Sequence, residues 1–444
     1  MKISKLSSSQ ILVLGFFGII LTGALLLSLP ISSVYGQWTN FLDCLFTSTS
    51  AVCVTGLILF DTGTYWTLFG KIVIITLIQI GGLGFMSMTI LAALITKSKI
   101  SLSQRLVMSE ALGANAISGI VKLSKRVIEL TVFIEFLGII SLCIFFIPKF
   151  GAVTGLWYAL FHSISAFCNA GFDLLGGYSS FTKYSNSYIL NITIMLLIIF
   201  GGLGFSVIIN VVQSGFRYKK FTLHSKLVLI TTGILIIVPM IIFLLLENNN
   251  TLYGKPIGEK LLASAFQVVS PRTAGFNSLN ITKFRQSSLF LQIILMIIGG
   301  SPASTAGGLK TVTVAVLFLN FIGFFKKDDN IQVMNRRISD NFLKNAVIIL
   351  SWALVLITSG LFIISAVQPE LEFLDIFYEV ASAYGTVGLS TGITRSLNFI
   401  SKVVLIIIMF SGRVGSLTII IAFSDMAKAK KSKVLFPKEE IVVG

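Results

Sequence analysis

FLDCLFTSTSAVCVTG, residues Phe41–Gly56, is an apolar run that ends in glycine. At this length it cannot cross a bilayer as a helix, which needs ~20 mostly apolar residues. Three further runs share its form: LWYALFHSISAFCNAG (Leu156–Gly171), KLLASAFQVVSPRTAG (Lys260–Gly275) and FLDIFYEVASAYGTVG (Phe373–Gly388). The residue after the glycine is Leu57, Phe172, Phe276 or Leu389, always large and apolar. Six positions before it stand Ser50, Ser165, Val269 and Ser382, and five before it Ala51, Ala166, Ser270 and Ala383. The four glycines are 104–115 residues apart, and a second glycine (Gly81, Gly201, Gly299, Gly412) follows each by 24–30 residues. Self-similarity at a steady period means one structural unit used four times.

Longer apolar stretches flank these runs at 11–30, 68–95, 126–148, 188–212, 226–246, 287–322, 342–367 and 397–423. The sixth is too long for one straight span and is broken in the middle. The pattern predicts an all-α integral membrane protein. Eight transmembrane helices form four span–pore-loop–span repeats with pseudo-fourfold symmetry around one pore. The repeats divide as 1–100, 101–215, 216–325 and 326–427, with a cytosolic tail at 428–444.

The chain of 444 residues is 55% apolar and only 12% charged, with a net charge of +16. So few charges exclude both a disordered chain and a basic nucleic-acid coat. The basic residues cluster at the N-terminus (Lys2, Lys5), in 96–126, 213–226 and 323–344, and in the tail. The positive-inside rule then places both termini in the cytoplasm. The run Ile11–Leu29 exceeds a ~7–15-residue signal core and reads as a retained first span. Cys44, Cys53, Cys143 and Cys168 form no CxxC pair, so they read as small buried hydrophobes. No HExxH, Walker A or GxSxG motif occurs, and an enzyme is not expected. A lipid-modifying enzyme would need a catalytic group that Glu129, Glu135 and Arg413 do not form in sequence.

A half-helix that re-enters the membrane exposes backbone, which is tolerated only where it is buried in protein or lines a cavity. Four such loops around one axis converge their carbonyls, and carbonyl rings replace an ion's hydration shell. The half-helices also aim C-terminal ends, each with about half a negative charge, at that axis. The expected selectivity filter is therefore Val54, Thr55, Gly56, Asn169, Ala170, Gly171, Thr273, Ala274, Gly275, Thr386, Val387 and Gly388, with a cation held by their backbone carbonyls.

The third repeat carries an interruption that the others lack. Gly299, Gly300, Ser301, Pro302, Ala303, Ser304, Thr305, Ala306, Gly307 and Gly308 fall inside the sixth span. Glycine costs ~1 kcal/mol and proline ~3 in a helix interior, so a flexible intramembrane loop below the filter is expected, rather than a simple kink. Arg413 lies deep in the eighth span, and an intramembrane arginine is a functional residue by default. One assignment has its guanidinium bonding loop carbonyls and adding a positive barrier in the closed pore. The other is an interhelical pair with Glu135. The words Gly81-Gly82-Leu83-Gly84-Phe85 and Gly201-Gly202-Leu203-Gly204-Phe205 let inner helices pack or bend. Lys125 and Glu129 read as a surface pair at helical spacing, His162 as a packed half-helix residue, and 97–125 as an amphipathic segment.

These motifs taken together resemble the membrane subunits of Ktr-type potassium uptake systems in the Trk/Ktr/HKT cation transporter superfamily. The resemblance covers essentially the whole chain and rests on the four glycine loops, Gly299–Gly308 and Arg413. It implies potassium uptake across a bacterial cell membrane and a homodimer with one pore per protomer. It implies a cytosolic RCK-type regulatory ring, KtrA-like or KtrC-like, that binds ATP/ADP, and a loop that obstructs the pore and moves on activation. Gly56 at the first filter position implies preference for potassium over sodium. No nucleotide fingerprint follows a strand in this chain, so nucleotide is expected on the partner. No organic cofactor and no nucleic acid are expected. The competing transport reading is a tightly sodium- or proton-coupled carrier.

Overall fold

The computed structural model describes residues 7–84, 119–326, 332–334, 336–415 and 418–422. The tail 428–444 and the stretch 97–118 of the amphipathic segment lie outside them, while 120–125 begin a long helix. Among the described residues, four helices are long and apolar enough to cross a membrane alone: Ser8–Ser28, Ile120–Phe150, Leu223–Glu247 and Asn341–Val367. Each is followed by a short helix: Phe41–Val52, Ala152–Phe167, Ile257–Val269 and Phe373–Gly385. Each of these is followed by another: Leu68–Leu83, Tyr188–Leu203, Gln286–Ile297 and Phe399–Val414. The only sheet among the described residues pairs Gln332–Val333 with Arg336–Arg337.

The helices of the last group have 16, 16, 12 and 16 residues. At 1.5 Å per residue, 16 residues reach ~24 Å, short of a ~30 Å hydrocarbon core. All four stop one or two residues before a glycine, and the second is bent there as the third is interrupted, which corrects the expectation that only the third repeat is interrupted. Gly84, Gly204 and Gly415 take left-handed φ values of 78°, 94° and 94°. At Gly204 the chain turns by 93° into the helix Phe205–Gln213. In the third unit the break widens to a loop before the helix Thr311–Phe325.

The interior is inverted relative to a protein folded in water. Phe133, Phe136, Leu137, Ile140 and Ile144 point outward from the helix Ile120–Phe150, whereas Ser48, Ser50, Thr55, Ser163, Ser165, Asn169, Thr273 and Ser382 are completely buried. An apolar exterior of this extent matches a lipid environment.

One packing rule recurs from unit to unit. A methyl group on Gly23 of the first long helix would strike the Ser48 hydroxyl and Leu77; one on Gly138 would strike the Ser163 hydroxyl and Leu197. Ser48 and Ser163 each lie eight residues before their loop glycine, and their hydroxyls donate to Ile20 O at 2.7 Å and Glu135 O at 2.8 Å. Small residues let the long helix and the half-helix approach closely. The fourth unit reaches the first through an ion pair, Lys402 Nζ to Asp43 Oδ1 at 2.7 Å.

Candidate functional site

The four half-helices end in one backbone device. Val54, Asn169, Thr273 and Thr386 take φ values of 57°, 60°, 72° and 50°, and Gly56, Gly171, Gly275 and Gly388 take 90°, 69°, 77° and 94°. Each triplet thus begins and ends left-handed. Asparagine tolerates that region better than most residues with a side chain, but valine and threonine are strained there, so the surrounding structure must hold them. Thr55 N donates to Ser50 O at 2.7 Å, Ala170 N to Ser165 O at 2.7 Å and Val387 N to Ser382 O at 2.8 Å.

The serine hydroxyls bind the same loops. Ser50 Oγ accepts from Gly56 N and Ser382 Oγ from Gly388 N, both at 3.0 Å, while Ser165 Oγ donates to Phe172 O at 2.7 Å. In the third unit, where Val269 replaces the serine, Ser270 one residue later donates to Phe276 O. The hydrogen bond survives a one-residue shift because that loop tightens, with Ala274 N donating to Ser270 O at 2.9 Å.

The four triplets close on one another in a ring. A methyl group on Gly56 would strike Ala170 O, on Gly171 Ala274 O, on Gly275 Val387 O, and on Gly388 Thr55 O. Each glycine therefore abuts the middle carbonyl of the next unit, and the fourth returns to the first. No side chain fits at these positions. Asn169 and Thr273 also meet across units, their side chains 3.1 Å apart. The hydroxyls of Thr55 and Thr386 are buried with no protein partner. The Leu57, Phe172, Phe276 and Leu389 side chains are buried around the ring.

On one side the ring opens into a vestibule lined by Leu57, Asp173, Tyr178, Asn277 and Arg395. Burial pushes the Asp173 carboxyl up to about 7, opposed by the Leu175 amide that donates to it and reinforced by Asp61. His162 is buried behind the second loop, stacked on Phe146 with ring centroids 5.0 Å apart. Its two ring nitrogens meet Tyr158 O at 2.7 Å and Leu174 N at 3.3 Å.

On the other side lies the Gly299–Gly308 loop. Gly299 N donates to Leu309 O at 2.9 Å and Thr311 N to Gly300 O at 3.0 Å, closing its neck. Ser301 N donates to Gly202 O at 2.9 Å, Thr305 N to Gly201 O at 3.2 Å and Thr305 Oγ1 to Phe167 O at 3.1 Å. A methyl group on Gly307 would strike the Thr386 side chain, and one on Gly299 would lie 3.2 Å from Thr273 Cγ2. The loop thus lies against triplet residues of the third and fourth units and is tied to the second. Those hydrogen bonds run to its own neck and to the second unit.

Arg413 joins the loop to the first unit. Its guanidinium donates to Thr305 O and Gly81 O, and to Gly82 O at 2.9 Å. It does not pair with Glu135, whose carboxylate instead accepts from Gln79 Nε2 at 3.1 and 3.3 Å. The repeated glycines Gly81, Gly201 and Gly412 have a common role that spacing alone did not reveal. A methyl group on any of them would strike the half-helix carbonyl four residues before the loop glycine, namely Val52 O, Phe167 O or Tyr384 O. At the matching position Gly299 meets Gly307 O of the loop instead. Lys310, inside the sixth apolar stretch, is a further polar residue of this region that spacing does not single out; its Nζ donates to Ala306 O at 2.6 Å.

The TrkH family, described as cation transport protein, matches residues 18–433. The chain is 41% identical to the potassium/sodium uptake protein NtpJ of Enterococcus hirae, over 99% of this chain and 98% of that protein. It is 39% identical to the Ktr system potassium uptake protein B of Bacillus subtilis, over 99% of this chain and 97% of that protein. The crystal structure of the potassium transporter TrkH from Vibrio parahaemolyticus has a similar fold, with a TM-score of 0.76 at 19% identity. That match covers 95% of this chain and 86% of the other.

Proposed function

The chain belongs to the TrkH family of cation transport proteins, which are transporters rather than enzymes, and from this we propose that it is the potassium-conducting membrane subunit of a Ktr-type uptake system. The observation that carries the reading is the cyclic abutment of Gly56, Gly171, Gly275 and Gly388 on the middle carbonyls of their neighbours. Four chemically alike loops closing into one ring support a pseudo-fourfold pore with the twelve triplet residues as its filter. A dehydrated cation is the species such a ring of oxygens suits. The C-terminal ends of the half-helices favour its charge. Potassium here is the transported substrate.

In this reading eight spans form repeats 1–100, 101–215, 216–325 and 326–427. The Gly299–Gly308 loop and Arg413 form the gate, since the loop sits against Thr273 and Thr386 at the base of the ring. Relatives named as Ktr system proteins support a cytosolic regulatory partner, taken to be a nucleotide-binding RCK-type ring. A bacterial plasma membrane, cytoplasmic termini and a homodimer complete the proposal.

The test is potassium and sodium uptake by a transport-deficient host carrying the wild type or Gly56→Ser. The substitution adds a side chain at φ 90° against Ala170 O, so loss of high-affinity potassium uptake with altered sodium leak is expected. Equal growth at micromolar potassium with no change in sodium leak would count against the filter. Potassium flux that stops without a sodium or proton gradient would favour the coupled carrier.

A further inference from the structure

A strap crosses the vestibule above the ring. Gly176, Gly177, Tyr178 and Ser180 all have positive φ, at 77°, 70°, 52° and 45°, so the second unit's chain is folded tightly here. It is tied to the outer extensions of the other three units. To the first, the Asp61 carboxylate accepts from Tyr178 N at 2.9 Å, and the Tyr178 hydroxyl accepts from Asp61 N at 3.1 Å and donates to Leu59 O at 3.3 Å. To the third, Phe181 N donates to Asn277 O at 2.8 Å and Ser180 Oγ accepts from Asn277 N at 3.1 Å. To the fourth, the Arg395 guanidinium sits 4.3 Å from the centroid of the Tyr178 ring.

Arg395 lines one cavity with Gly56, Gly171, Gly275 and Gly388. Its position is set from below, because the Thr394 hydroxyl donates to the buried Glu379 carboxylate. Among the described residues no carboxylate lies within ion-pairing distance of its guanidinium. Asp61 is occupied with Tyr178, Glu379 with Thr394, and Asp173 lines the same cavity without pairing to Arg395. An exposed positive charge therefore stands over an aromatic face at the mouth of a ring whose form suits cations. Stacking on an exposed aromatic ring holds it weakly.

We propose that Arg395 is a tethered cation that sets how readily external cations load the ring, with the fixed Tyr178 ring as its platform. This rests on the conduction reading given above. A like charge in a walled vestibule lowers the local concentration of arriving cations, and its reach is cut by salt over a Debye length of ~10 Å at 0.1 M. The residue would determine apparent affinity rather than maximal flux.

The test is potassium uptake kinetics of the purified wild type, Arg395→Lys, Arg395→Gln and Arg395→Glu in liposomes, each at low and high ionic strength set with a bulky organic salt. The expected result is a charge-graded series. Arg395→Lys keeps the wild-type KM, Arg395→Gln lowers it about two- to fivefold at low ionic strength, and Arg395→Glu lowers it further. The differences shrink at high salt and the maximal rate changes little. A KM unchanged across the series, or shifted equally at both ionic strengths, overturns the inference while leaving conduction intact. Absence of potassium flux from both the wild type and Arg413→Ala, in which the loop is released, overturns the conduction reading and this inference with it.

Discussion

The Arg413 guanidinium donates to the Thr305 carbonyl, linking the last helix of the fourth unit to a loop of the third. Its remaining bonds go to Gly81 O and Gly82 O of the first unit. One side chain therefore fastens the loop under the ring to a fixed helix end. Hydrogen bonds from a charged donor contribute about 1.5–3 kcal/mol each, and losing those to the loop frees it on one side. Arg413→Ala is expected to raise potassium leak through liposomes lacking any regulatory subunit, by several fold. Arg413→Lys, which cannot span all three carbonyls, should give a smaller rise. Unchanged leak in both would remove Arg413 from the gate.

The repeated glycines give a stability prediction. Gly81→Ala and Gly201→Ala each drive a methyl group into a half-helix carbonyl. Overpacking of this kind typically costs ~1–3 kcal/mol, and both variants should melt at lower temperature in detergent. Gly18→Ala and Gly233→Ala are the controls, since nothing lies within 4 Å of either site. Replacing a helical glycine there should leave the melting temperature unchanged or slightly raised. Equal melting of all four would contradict the close approach.

The serine network predicts a change in ion preference. Ser50→Ala and Ser382→Ala remove the hydroxyls that accept from Gly56 N and Gly388 N. A buried donor left without a partner costs ~1–3 kcal/mol, and the loop relaxes to satisfy it. The potassium-to-sodium uptake ratio should fall in both, most in the double variant. Retention of the wild-type ratio in the double variant would show that the hydroxyls do not hold the filter shape.

Asp173 predicts a pH dependence. Burial raises its carboxyl to about 7, so it is mostly neutral below that pH and negative above it. A negative vestibule concentrates cations. Apparent potassium affinity should therefore improve as external pH rises through about 7, and Asp173→Asn should flatten the profile. A slope of the same size in Asp173→Asn would assign the titration to another group.

Much of this was legible in the sequence because it depends on local rules. The half-helix Phe41–Val52 falls inside the glycine-ended apolar run Phe41–Gly56 and ends just before its triplet. The Lys125–Glu129 pair follows from i,i+4 spacing and is found at 3.7 Å. The third-unit break follows from glycine and proline content alone. The bend at Gly204 was hidden, because one glycine in an apolar helix is compatible with either a straight or a bent course. The shifted serine was hidden as well, since Ser270 supplies the hydroxyl missing at Val269 only once the loop has tightened.

By itself, the sequence determined that four copies of one apolar unit lie in a membrane and that each ends a half-helix at a glycine. Periodicity, hydropathy and helix propensity are properties of short segments, so they can be read without knowing what a segment touches. Tertiary structure alone decided that Gly388 closes on Thr55 O, that Arg413 reaches Thr305 rather than Glu135, and that Arg395 stands over Tyr178. These relationships join residues more than a hundred positions apart. Each depends on which carbonyl or ring faces outward when the units meet, and no local rule carries that information.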